Sequence, residues 1–241
     1  MSISVCIPTY NGEKYLQQQL DSILIQLGVD DELIISDDSS TDHTLEIIKG
    51  YNDPRIKLME NGLFKSPIFN IENALKVAKG EFIFLADQDD IWFPEKIKKT
   101  VELLLNFDMV VCNGTIIDQD ERIIHPSYFA WKGSGKGFFK NLAKNTYLGC
   151  SLAFNRKILN KALPFPKHII MHDLWLGLIA ECEGRVFFMK EPLFSYRRHA
   201  DNCTAAISKA DNALSDFNFI FKIRYRVVML SYIIKRVLFN C

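Results

Sequence analysis

Phe82-Ile83-Phe84-Leu85-Ala86-Asp87-Gln88-Asp89-Asp90-Ile91-Trp92 is the stretch on which the reading of this chain turns. A short run of Phe, Ile and Leu, entered through Gly80-Glu81, predicts a buried β-strand. Three carboxylates then arrive together at its carboxyl end. Acidic groups crowded there repel one another unless a cation intervenes, and Mg²⁺ or Mn²⁺ takes oxygen ligands of this kind. Mg²⁺ commonly binds through one or two carboxylates plus substrate phosphates, so the cluster points to a nucleoside-diphosphate partner. The alternative is a solvated acidic turn capping the helix that begins near Pro94, because Asp is common at caps and turns.

On either side of this stretch, residues 1 to 110 alternate strand and helix patterns. Ser2 to Pro8, Glu32 to Ser36, Arg55 to Met59 and Glu81 to Ala86 read as strands. Gly12 to Gln26, Thr41 to Lys49, Asn70 to Ala78 and Pro94 to Leu105 read as helices. Such alternation predicts a parallel, doubly wound sheet, in which ligands lie beyond the carboxyl ends of the strands. The polar clusters Pro8-Thr9-Tyr10-Asn11, Asp37 to Asp42 and Asp87 to Asp90 each follow a strand, so all three are expected to converge on one crevice.

Composition narrows the function classes. The 241 residues, 48% hydrophobic and 24% charged, suit an ordinary enzyme-sized globular domain. Twenty-nine basic and 29 acidic residues cancel, leaving no global field for nucleic acid, and no nucleic-acid partner is expected. Cys6, Cys112, Cys150, Cys182, Cys203 and Cys241 are too scattered for a zinc knuckle. With neither a charged leader nor an apolar targeting segment ahead of Ile3, the chain is expected in a reducing cytosol. No G-x-G-x-x-G follows the first strand, which argues against an NAD-type site, and Gly133-Ser134-Gly135-Lys136-Gly137 fails as a phosphate loop.

Pro8-Thr9-Tyr10-Asn11, Ile35 to Asp42, and Ala86 to Trp92 with Pro94-Glu95-Lys96 together resemble the nucleotide-sugar half of the inverting, GT-A-fold glycosyltransferases of family 2. Gly149-Cys150 followed by Ala153-Phe154-Asn155-Arg156, His172-Asp173-Leu174-Trp175, and Tyr196-Arg197-Arg198-His199 with Asn202 resemble the acceptor half of the bacterial rhamnosyltransferase-like branch. The resemblance covers Ser2 to Thr204. It implies an α/β fold with a GT-A-like, Rossmann-like mixed sheet flanked by helices. It also implies a catalytic domain over 1–206, divided into a nucleotide-sugar half at 1–112 and an acceptor half at 113–206; the remainder, 207–241, reads as a helical extension from its own apolar and basic pattern.

Carried over residue by residue, the resemblance implies a UDP- or dTDP-sugar donor held by Thr9, Tyr10, Asn11, Asp38, Asp87, Gly149 and Arg198. Mg²⁺ or Mn²⁺ would sit on Asp89 and His199, and Asp173 would be the catalytic base. The chemistry suits these tasks. Asp38 can accept from the ring N3–H of a uracil or thymine, Asp87 can meet the ribose or the metal, and Asp89 can bridge metal and diphosphate. Asp90 is the third carboxylate, Trp92 a packing residue, and Asp42 a helix cap. Asp173 opens an apolar helical pattern, where a carboxylate suits a general base or, alternatively, an N-cap. His199 suits the metal or the leaving phosphate. A haloacid-dehalogenase-like phosphotransferase would need its Asp pair after the first strand, and a degenerate sugar-nucleotide-binding partner would have no reason to keep Asp38, Asp89, Asp173 and His199 together.

The last segment, Phe217 to Phe239, is apolar and basic, and its longest uncharged run, Val227 to Ile234, is too short to span a bilayer. It reads as an interfacial helix on an anionic membrane surface, with Lys222, Arg224, Arg226, Lys235 and Arg236 meeting the headgroups. A core contact or a homodimer contact is the alternative. The expectation is therefore a cytoplasmic enzyme of cell-surface polysaccharide synthesis, peripheral at the inner face of a bacterial plasma membrane, with a lipid-linked or oligosaccharide acceptor.

Overall fold

The computed structural model describes residues 1–199 and 219–239, the side chains of 219–222 excepted. Asn202 and the expected domain boundary at 206/207 lie outside the described residues, as does Phe217.

The first half follows the predicted alternation. β1 (Ile3–Thr9), α1 (Leu16–Leu24), β2 (Glu32–Asp37), α2 (Thr44–Gly50), β3 (Ile56–Met59), α3 (Pro67–Val77) and β4 (Phe82–Leu85) form a parallel unit in the order β3-β2-β1-β4. Its strands are apolar along their length because helices cover both faces. The pleat sends Val5 and Ile7 to one core and Cys6 to the other, and it divides Phe84 from Ile83 and Leu85 in the same way.

After β4 come β5 (Ile91–Trp92), α4 (Lys96–Leu104), β6 (Met109–Ile117), β7 (Ile123–His125), α5 (Tyr128–Lys132), α6 (Phe138–Ala143), β8 (Leu152–Asn155), α7 (Arg156–Ala162), α8 (His172–Glu183) and β9 (Val186–Arg197). The sheet continues as β4-β8-β6-β9-β5. β8 runs antiparallel to both β4 and β6, β6 and β9 are parallel, and β5 pairs antiparallel with β9. The sheet is therefore mixed, a GT-A architecture. The expected division after residue 112 falls inside β6, a strand that both halves share.

Several helices begin later than periodicity alone predicts. α2 starts at Thr44 rather than Thr41 because residues 38–43 form a hydrogen-bonded turn with Ser39 at φ 60°. α4 starts at Lys96, beyond Pro94, because Glu95 sits in the left-handed region at φ 66°. Conversely, α3 starts early, at Pro67, whose fixed φ suits a first helical position.

The final helix, α9 (Phe219–Phe239), docks on the domain. Met229 and Ile233 are buried in the core shared with α7 and α8. The Arg236 guanidinium donates to the carbonyls of Lys161 (3.1 Å), Leu163 (2.7 Å) and Pro164 (2.7 Å), and Arg226 Nε donates to those of Leu142 and Ala143, each at 3.1 Å. This corrects the expectation that all the basic residues of the segment face headgroups. Arg226 and Arg236 satisfy the last carbonyls of α6 and of α7 and its following turn, groups a helix leaves without internal partners. The opposite side exposes Ile223, Val227, Ile234, Leu238 and Phe239 beside exposed Arg224 and Lys235. No helix among the described residues is long and apolar enough to cross a membrane.

Candidate active site

The acidic loop 87–90 is held from three directions. Gln19 Nε2 donates to the Asp87 carbonyl at 2.9 Å, and Arg197 Nε to the Asp89 carbonyl at 2.9 Å. Behind the loop, Ile91 and Trp92 pair with Ser195 and Phe194. Gln88 ties it to the β1 loop by a reciprocal pair, accepting from Tyr10 N (2.9 Å) and donating to Tyr10 O (3.0 Å). The result is an open cleft of about 610 Å³ at the carboxyl ends of β1 and β4, with Tyr10, Asn11, Asp87, Asp89, Tyr196 and His199 among its walls.

On the floor of this cleft, Asp89 Oδ2 meets His199 Nε2 at 2.8 Å, with both side chains nearly enclosed. Tyr15 lies against the imidazole, ring centroids 5.0 Å apart, and itself sits under the Arg197 guanidinium at 4.5 Å. Deeper, ligand atoms of Asp87, Asp90 and Cys150 lie within 4.8 Å of one another. Burial, and then the charge of Asp89, lifts Asp87 to about 7. Asp90 is raised well above its ordinary range by burial and by both neighbouring carboxylates, and its Oδ2 has no hydrogen-bond partner. Lys96 is the local counter-charge. It is buried, donates to the Cys150 carbonyl at 3.2 Å, and lies 4.2 Å from the ring centres of Trp92 and Phe194. Burial lowers its pKa, so it compensates the carboxylates only in part. Three carboxylates in a half-dry pocket fit a divalent cation. The pair Asp89 and His199, which lines the cleft, supplies an oxygen and a nitrogen donor suited to Mn²⁺ or Mg²⁺. The deeper set is less apt, because burial and Asp90 hold the Cys150 thiol protonated.

Asp173 is not among the residues that line this cleft, although its charge is among those that raise Asp87. It occupies the first turn of α8 without being the cap, which is Met171. Oδ2 accepts from Asn145 Nδ2 at 3.2 Å and Oδ1 from Leu174 N at 2.7 Å. Burial raises its pKa, which makes it a better proton acceptor once ionised.

The remaining predicted residues divide between lining and support. Tyr10 is exposed at the mouth. Thr9 is buried and donates to Asp37 at 2.8 Å, while Asn11 Oδ1 accepts from Thr41 N at 2.8 Å. Asp38 accepts from Phe64 N at 2.7 Å and lies off the cleft wall, on the β3–α3 side. Gly149 packs against His172, where a Cβ would come within 2.7 Å of Nε2. Arg198 is exposed and does not line the cleft; its guanidinium lies 5.4 Å from the Trp131 ring centre. Asp42 accepts from Thr44 N at 3.0 Å just ahead of α2, but the N-cap position of that helix is His43, not Asp42. Gln88, Tyr15 and Lys96 act here without having been singled out for a role. Gln88 and Lys96 had a signal, their places in the Ala86 to Trp92 stretch and the Pro94-Glu95-Lys96 motif; Tyr15 had none.

A family profile described as "Glycosyl transferase family 2" matches residues 4–163. Among curated proteins, the chain is 36% identical over 237 residues, 95% of this chain and 91% of the relative, to "UDP-Glc:alpha-D-GlcNAc-diphosphoundecaprenol beta-1,3-glucosyltransferase WfaP" of Escherichia coli. It is 30% identical over 186 residues, 74% of this chain and 70% of the relative, to WfgD of the same organism, described by the same activity. Among solved structures it superposes on S. aureus TarS 1–349 in complex with UDP-GlcNAc with a TM-score of 0.66 at 22% identity, covering 84% of this chain but only 60% of that one.

Proposed function

The chain belongs to glycosyl transferase family 2, a family of inverting glycosyltransferases, and we propose that it moves a sugar from a UDP- or dTDP-sugar to a hydroxyl of a lipid-linked glycan in cell-surface polysaccharide synthesis. The observation that carries this proposal is the contact of Asp89 with His199 at 2.8 Å on the floor of the cleft at the carboxyl ends of β1 and β4.

In this scheme the nucleotide lies along the β1 loop and its base reaches past the cleft wall to the β3–α3 side, where Asp38, which also accepts from Phe64 N, accepts from the pyrimidine N3–H. Asp89 and His199 would hold Mg²⁺ or Mn²⁺, which when bound supplies positive charge to the departing diphosphate. Asp173 removes the proton of the acceptor hydroxyl as its oxygen bonds to the anomeric carbon. The bond from that carbon to the diphosphate breaks on the opposite face, its electron pair leaving with the nucleoside diphosphate, and the configuration inverts. One positioned base is typically worth about 10² to 10⁴ in rate.

The lipid-linked acceptor draws support from the activities by which WfaP and WfgD are described and from the apolar outer side of α9 with Arg224 and Lys235. That side suits a peripheral site at an anionic membrane face. Screening the purified protein against a panel of nucleotide sugars tests the proposal, with released nucleoside diphosphate as the readout. Metal-dependent release from a UDP- or dTDP-sugar is expected. Release from none of them, with or without a glycan acceptor, would refute it.

A further inference from the structure

Next to the cleft, reached through Tyr196 and Arg198, stands a second built surface. α5 carries it. Ser127 caps the helix by accepting from Ala130 N at 3.2 Å, and Asn113 fixes its start by accepting from Phe129 N at 3.0 Å. This leaves Trp131 42% exposed. The indole is braced from below by Tyr128 and His125, with centroids 5.8 and 5.9 Å away. Two cations rim it, the Arg198 guanidinium at 5.4 Å and the Lys132 ammonium at 5.6 Å from the ring centre. Its neighbours tie it to the cleft. Arg198 directly precedes His199, and Tyr128 meets Tyr196, which lines the cleft, edge-on at 6.0 Å.

We propose that Trp131, with Arg198 and Lys132, is the acceptor platform: the indole takes the apolar face of an acceptor sugar, and the two cations take the diphosphate that carries it. The proposal rests on the glycosyltransferase reading and adds to it the residues that recognise the acceptor. A half-exposed indole is flat and poorly hydrated, so covering it with the CH-rich face of a pyranose removes apolar surface from water. A guanidinium and an ammonium supply donors matched to phosphate oxygens. Such a pairing fits a sugar on a diphosphate better than a neutral oligosaccharide.

Fluorescence provides a readout that does not depend on turnover. Of the three tryptophans, Trp92 and Trp175 are buried, so acrylamide quenching of the folded protein reports mainly on Trp131. A short-chain alkyl GlcNAc diphosphate should cut the quenching slope of the wild type by about half or more at saturation, with inorganic diphosphate protecting less. In Trp131→Phe the protectable signal should vanish. In transfer assays Trp131→Ala should raise acceptor KM about tenfold or more, with UDP affinity by calorimetry shifting less than about twofold, and Trp131→Phe should recover most of the loss. No protection of the wild type, an unchanged acceptor KM in Trp131→Ala, or an equal loss of UDP affinity would each overturn the platform. Failure of the wild type to release nucleoside diphosphate from any nucleotide sugar would instead refute the transferase reading, and the quenching result would stand apart from it.

Discussion

Asp89 Oδ2 and His199 Nε2 lie 2.8 Å apart although 110 positions separate them in the chain. The contact joins the loop after β4 to the end of β9, the strand that closes the sheet beside β5. Neighbouring hydrogen bonds reinforce the junction, since Arg197 N donates to Asp90 Oδ1 at 3.1 Å and Arg197 Nε to the Asp89 carbonyl. The acidic loop and the Arg-Arg-His segment are thus one rigid unit, and changes on either side should be felt on the other.

Asp173→Asn should lower kcat by about 10² or more while leaving UDP affinity within about threefold, because only the transition state needs the proton acceptor. Single-turnover kinetics with parallel calorimetry checks this. A matching loss of affinity would make Asp173 a residue of binding or folding instead.

The raised pKa of Asp173 sets two pH dependences. Activity needs the ionised form, so kcat should fall with falling pH along a limb above the ordinary carboxylate value of about 3.9. Stability runs the other way. Between the unfolded and the raised folded pKa the native state holds a proton that the unfolded chain has released, so this group contributes less stability as pH rises through that window. The Tm advantage of Asp173→Asn over the wild type should therefore be larger at about pH 8 than at about pH 4. Equal differences at both would contradict the shift.

Arg236→Met should destabilise the fold by about 1–3 kcal/mol, because it leaves the carbonyls of Lys161, Leu163 and Pro164 without their donor. Exposed Lys235→Ala should stay within about 0.5 kcal/mol. Urea denaturation compares the two, and equal midpoints would mean that α9 is not docked through this guanidinium.

If the outer side of α9 meets lipid, Ile234→Gln with Leu238→Gln should release the protein from anionic vesicles without altering its urea midpoint. Substitution is the cleaner test than deleting the helix, which would strip cover from the core around Met229 and Ile233. Salt near 1 M, where screening shortens charge attraction to about 3 Å, should weaken binding of the wild type. Unchanged sedimentation of the double variant would favour a contact between copies of the chain.

The strand and helix order of the first half was legible because apolar periodicity is a local signal, and so was the acidic loop, which follows a strand directly. What periodicity lacks is partner identity. Lys96 and Arg197 are charged residues that read as exposed, yet both are buried, Lys96 against rings of Trp92 and Phe194 and Arg197 against Tyr15 and the Asp89 carbonyl. Those contacts exist only after β9 has crossed to β5. Asp37 and Asp38 are adjacent and chemically alike, but the pleat buries Asp37 against Thr9 and Ser40 and turns Asp38 toward Phe64. The basic residues of α9 were misjudged for the same reason, since the carbonyls that claim Arg226 and Arg236 belong to distant helices.

The most direct test of the central claim is calorimetric titration of UDP into wild-type protein, Asp89→Asn and His199→Ala, each with Mn²⁺ and with chelator. The account predicts Mn²⁺-dependent UDP binding by the wild type, at least about tenfold weaker in either variant and insensitive to chelator there, because an amide or a methyl cannot hold the cation against the diphosphate. Equal UDP affinity in all three proteins, with and without chelator, would contradict it.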